Sequence, residues 1–121
     1  MDRKPITVVF GNREYQTSMD LGACMRIQGQ LDIGISKLAK RLADDDVRYD
    51  DVAIVIAECL KGQKKAPTTQ QVMEELYNKG LINCLQGLVV PAVSLCAQFL
   101  DPQAFNERDT DEEEEDDNEG E

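Results

Sequence analysis

The residues of this chain with the most chemistry in them are four cysteines and twenty-four carboxylates. Cys24, Cys59, Cys84 and Cys96 are too far apart for CxxC spacing, and the chain has no histidine to complete a zinc site. Each cysteine falls among apolar residues of a predicted helix, so all four read as buried, reduced thiols that behave as small hydrophobes. A disulfide is the alternative. Without histidine there is no imidazole base and no His-based triad. No glycine-rich phosphate loop follows a strand. Asp20, Asp44, Asp45, Asp46, Asp50 and Asp51 fall at helix starts and loops, where a carboxylate caps a helix or is simply solvated. The run DTDEEEEDDNEG lacks the glycine and the flanking helices of a calcium loop, which leaves only weak, non-specific cation binding. The sequence thus predicts no catalytic residue, no metal site and no cofactor, and the chain is not expected to be an enzyme.

Nearly half of the carboxylates lie in one place. Residues 107–121, ERDTDEEEEDDNEGE, hold eleven acids and one base, a net charge of −10. The whole chain of 121 residues carries −11, which leaves −1 for residues 1–106. A run of like charge with no apolar surface to bury is expected to be disordered. The expected organisation is one domain, residues 1–104, with a disordered acidic tail over 105–121. Lys37, Lys40, Arg41, Lys61, Lys64 and Lys65 make small basic patches on a domain that is otherwise near neutral. Direct nucleic-acid binding does not fit that balance. The start MDRKPITVVF has no apolar segment long enough for a signal peptide. LVVPAVSLCAQFL is too short to span a bilayer and holds proline and polar residues. A soluble cytoplasmic protein with no membrane partner is the expectation.

The elements follow from period and punctuation. Ile6 to Phe10 and Arg13 to Thr17 are β-prone runs joined by Gly11-Asn12, a two-residue hairpin loop. That register sets Val8 opposite Tyr15, Ile6 opposite Thr17, Val9 opposite Glu14 and Thr7 opposite Gln16. A lone hairpin is marginal in water, so it must lean on the helices. Ser18 or Asp20 can cap the helix LGACMRIQGQL, whose apolar positions are Leu21, Cys24, Met25, Ile27 and Leu31. Asp32-Ile33-Gly34 breaks it. Ile35, Leu38, Ala39 and Leu42 form the stripe of a short second helix, with Lys37, Lys40 and Arg41 on its wet face. Asp50 is the expected cap of DVAIVIAECLK, a helix apolar nearly all round and so expected to be central. Thr68 and Gln71 have capping-box spacing, and Val72, Met73, Leu76 and Tyr77 form the apolar side of the helix they open. The fold class is α+β, mostly α: a hairpin packed on a bundle of about five helices.

The last helical stretch is LINCLQGLVVPAVSLCAQFL, which Pro91 should kink or split. Leu81, Leu85, Leu88, Ala92, Leu95 and Phe99 make one stripe along it. Ile82, Val89, Val93, Cys96 and Leu100 make a second. One stripe is enough to dock the helix on a small core. The second is the candidate partner-binding surface, or else both stripes are buried.

The order of these segments resembles a family of phage tail assembly chaperones, the type also found in prophages and gene-transfer-agent clusters. The likeness runs from Ile6 to Leu100. It covers the hairpin with Gly11-Asn12-Arg13-Glu14-Tyr15 at its turn and Leu21-Gly22-Ala23 opening a helix. It continues through ISKLAKRLADDDVRYDDVAIVIAECLKG and VMEELYNKGLINCLQGL. The acidic tail is not part of the shared pattern. The resemblance implies a helper that binds the tape measure protein and keeps it soluble until the tail tube polymerises around it. Members are also described as tail tube components, so a tail tube protein is a second implied partner. The helper would act in the bacterial cytoplasm and leave before the virion matures. Helix-in-groove recognition of a helical client suits an exposed apolar stripe. Two other readings remain: a small helical regulator of a host factor, and an acidic decoy. The confinement of charge to the tail counts against the decoy.

Overall fold

A computed structural model describes residues 4–44 and 46–103. The expected disorder of residues 105–121 lies outside the described residues. A two-stranded antiparallel hairpin, β1 (Ile6–Phe10) and β2 (Arg13–Thr17), precedes α1 (Leu21–Leu31), α2 (Ile35–Ala43), α3 (Tyr49–Leu60) and α4 (Thr69–Lys79). A 3₁₀ turn (Ile82–Cys84) and a π turn (Leu85–Val89) then lead into α5 (Val90–Leu100). The chain is therefore α+β, mostly α, with a hairpin set on five helices, as its pattern predicts.

The hairpin register is the expected one, from Ile6↔Thr17 to Phe10↔Arg13. Gly11 turns the chain at φ +63°, a conformation that glycine adopts without steric cost. Val8 and Tyr15 face each other on the buried side of the ladder. Four hydrogen bonds fasten the hairpin to α3, α4 and the loop between them. Tyr15 Oη donates to the Lys65 carbonyl at 2.7 Å and Thr17 Oγ1 to the Cys59 carbonyl at 2.6 Å. Gln63 Nε2 donates to the Gln16 carbonyl at 3.1 Å, and the Gly11 amide to Glu75 Oε2 at 3.1 Å. The hairpin rides on the α3–α4 pair, which supplies what two strands alone lack.

The centre is α3. It packs against α1, α2, α4, α5 and β2, and every residue from Asp51 to Leu60 except Ile54 is buried. Its N-terminus differs from the expectation. The helix starts at Tyr49, with Arg48 in the cap position and no side-chain cap. Asp50 sits two residues past the cap position, inside the first turn, and accepts the amide of Asp51 at 3.0 Å. Asp51 is not a capping or solvated carboxylate either, because it is fully buried. Arg41 of α2 turns inward from the face expected to be wet and grips it with two bonds, 2.8 and 2.9 Å long. An arginine fork matches both carboxylate oxygens, which is how such a charge is held in a core.

Other caps and stripes follow the sequence more closely. Asp20 caps α1 by accepting the Ala23 amide, and Thr68 and Gln71 form a complete capping box on α4. In α1 the core takes Ala23, Cys24 and Ile27, while Leu21 and Met25 are exposed. Leu31 is partly buried against the same core. In α4 the core takes Val72 and Leu76. Tyr77 lies one residue, about 100° of helix, past Leu76 and is 78 % exposed.

Candidate interaction surface

The terminal helix is built around Pro91. Proline has no amide to give to the carbonyl four residues earlier, and its ring crowds that carbonyl. The chain relieves this by widening the turn before it: the Val90 amide donates to the Leu85 carbonyl, five residues back. One extra residue in the turn shifts the helix face by about 100°. Gly87 lies within it, and a Cβ there would stand 3.0 Å from the Val9 carbonyl oxygen and 3.2 Å from Val9 Cβ. Its lack of a side chain is what lets β1 lie against the π turn.

The register shift decides which apolar residues are covered. Cys84, Leu88, Val89, Ala92, Leu95 and Cys96 join the core. Ile82 is 77 % exposed, Leu85 38 %, Val90 44 % and Leu100 46 %. Val93 is half-buried. The exposed ridge is thus Ile82, Leu85, Val90, Val93 and Leu100, with the step from Leu85 to Val90 passing through the π turn. Of the stripe expected from α-helical spacing, Ile82, Val93 and Leu100 lie on this ridge. Val89 and Cys96 are in the core and present no surface. Leu85 and Val90 were missed because an unbroken 3.6-residue period places them elsewhere. The one signal for them in the sequence is Pro91.

The run Ile82–Leu100 is 19 residues with a mean hydropathy of 1.5, long and apolar enough by composition to cross a membrane. Its buried share is 44 %, and its covered face fills the protein core. The continuous helical run is longer than proline-interrupted reading suggests, because the π turn carries the helix through.

The remaining chemistry is internal. All four thiols are free and buried. Burial pushes Cys96 up to about 12 and raises Cys24, Cys59 and Cys84 as well, which suppresses the reactive thiolate. Glu58 is buried between α1 and α3 and accepts from Arg26 Nε and Gln30 Nε2, each at 2.6 Å. Burial alone would raise its pKa. Those two hydrogen bonds and the charge of Lys61 outweigh that, so the carboxyl sits below its ordinary value. A cavity of about 270 Å³ beside the hairpin turn is lined by Val9, Glu75, Lys79, Asn83 and Gly87 among others, and Glu75 is already bonded to Lys79 and the Gly11 amide. Among the described residues no three His, Cys, Asp or Glu side chains form a group that could hold a metal ion.

The likeness of this helical domain to known proteins lies in phage and gene-transfer-agent tails. A family model described as phage tail tube protein, GTA-gp10, matches residues 3–101, and the chain belongs to that family. No curated protein and no solved structure matches it. The match corrects the expectation of a chaperone that binds the tape measure protein. The family is described as one of tail tube proteins, structural components of the tail, and neither the decoy nor the host-regulator reading gains from it.

Proposed function

We propose that this protein is a non-enzymatic structural subunit of a phage-like or gene-transfer-agent tail, and that it packs against neighbouring tail subunits through the ridge Ile82, Leu85, Val90, Val93 and Leu100. The observation that carries the role is the family match across residues 3–101. The ridge supports the surface, because contiguous exposed apolar side chains on a small domain mark a contact site. Helix-on-neighbour packing needs no catalytic group, and none is invoked. In this reading the subunit is made in the bacterial cytoplasm and stays in the assembled tail.

The test is to express the tail genes of the source genome together and purify the tails or tubes they form. Mass spectrometry of the purified assemblies should find this chain in stoichiometric amount with the other tube subunits. Assemblies that form normally and contain none of it would sink the structural role.

A further inference from the structure

Tyr77 of α4 is the most exposed large apolar side chain among the described residues. Tyrosine is enriched where proteins touch, because its ring offers a large, stiff contact area with a polar tip. Successive residues of a helix step by about 100°, so Tyr77 projects about 160° away from both Glu75 and Lys79. Those two residues line the cavity beside the hairpin turn. The ring and the cavity therefore lie on opposite flanks of α4, with Leu76 buried between them.

The cavity suits such a ring in size and chemistry. A space of about 150 Å³ holds benzene, and this one measures about 270 Å³. Val9, Cys84 and Leu88 supply apolar walls, and Gly87 adds no side chain to narrow it. One wall is charged. Glu75 accepts from Lys79 Nζ at 2.9 Å and from the Gly11 amide at 3.1 Å, both at Oε2. That leaves Oε1 to accept a phenol O–H. The rim matches as well. Glu74 lies one turn before Tyr77 on the exposed surface, while Lys79 is half-exposed at the cavity. A second copy that delivers its ring brings its Glu74 towards that cation. The cavity also adjoins the ridge, since its lining residues Asn83, Cys84 and Gln86 flank Ile82 and Leu85 along the chain.

We propose that this cavity is the socket for Tyr77 of a second copy of the chain, and that copies join head to tail through it. The proposal names the neighbour in the tail-subunit reading and rests on that reading. Ring and socket lie on opposite flanks of one helix, so two copies do not fill each other's sockets in a single two-fold pair. Each contact leaves a ring open at one end and a socket open at the other. Copies therefore continue into a closed ring or a filament. The neighbour that fills the socket also covers the Ile82–Leu85 end of the ridge.

The test is sedimentation of the purified full chain in about 0.15 M salt, which screens the charge of the acidic run beyond ~8 Å. The average mass of the parent should rise with concentration. Tyr77→Ala lacks the ring, and Gln86→Trp places an indole in the socket. Each variant alone should stay a monomer. Both positions are exposed, so the helical circular dichroism of each should match the parent. Mixed together, the two variants should form a one-to-one pair and nothing larger, because one supplies only a socket and the other only a ring. A parent that stays monomeric, variants that associate as the parent does, or a mixture that forms no pair each overturns the proposal. No other tail protein is present in this experiment, so the pairing and the tail role can fail separately.

Discussion

The amide of Val90 bonds the carbonyl of Leu85 and not that of Gln86, and this decides which of two adjacent valines faces outward. Val89 is 4 % exposed and Val90 44 %. Val90→Asp should leave helical circular dichroism intact and remove the chain from purified tail assemblies. Val89→Asp should unfold the domain, since an unpaired charge in a core costs about 3 kcal/mol or more. Equal effects of the two on assembly, with both folded, would refute the register.

Gly87 sets how closely the hairpin lies on the terminal helix. Gly87→Ala gains helix propensity, about 1 kcal/mol, but drives a methyl group into the Val9 backbone. Backbone cannot step aside as a side-chain tip can, so overpacking should win, with a net loss of about 1–2 kcal/mol. Thermal unfolding would read this as a midpoint lower by roughly 4–8 °C per kcal/mol. A higher midpoint would mean that the approach is looser than 3.0 Å.

The Arg41–Asp51 pair ties α2 to the central helix, and the carboxylate has no access to water. Arg41→Met keeps much of the side-chain volume and strands the charge, which should cost about 3–5 kcal/mol. The double variant Arg41→Met with Asp51→Leu should recover most of that. Urea titration of the three proteins checks it, and a stable single variant would show the pair to be dispensable.

Glu58 makes stability depend on acid. Its carboxyl is held below the ordinary value of 4.5, so the folded state gains from the ionised form above that pH. The gain is lost as the pH falls below 4.5 and through the folded-state value. Glu58→Gln should be less stable than the parent at neutral pH, and the gap should close on acidification. Measuring unfolding free energy from neutrality down to about pH 3 tests this, and a gap that is constant with pH would remove Glu58 as the cause.

The hairpin, the caps at Asp20 and Thr68 and the central place of α3 are legible in the sequence because each depends on local chemistry or on a single period. The misreadings have a common origin. Arg41 and Asp51 carry charges that any one-dimensional reading sends to solvent, and only their meeting across two helices makes burial affordable. Leu21, Met25 and Tyr77 sit at helical spacing with core residues, yet they lie at the edges of their stripes and stay exposed. Val89 and Cys96 were expected at a surface because periodicity assumes an unbroken helix, and Pro91 breaks that assumption upstream of itself. The tail family was legible from segment order. The role within it was not, because the chaperone and tube readings ask the same thing of a sequence: a helical domain with apolar surface to spare.

The Gln98–Lys4 bond joins positions 94 residues apart, and β1 also rests on the π turn and on α5. A chain emerging from the ribosome makes its hairpin first, when nothing exists for that hairpin to lie on. Two strands alone are marginal, so the hairpin gains its first support when α3 and α4 are made and the rest only with the last helix. The fold is thus completed at its end and not built up from its start. A messenger cut short before the codon for Gln98 yields a chain with no finished domain, which quality control can discard.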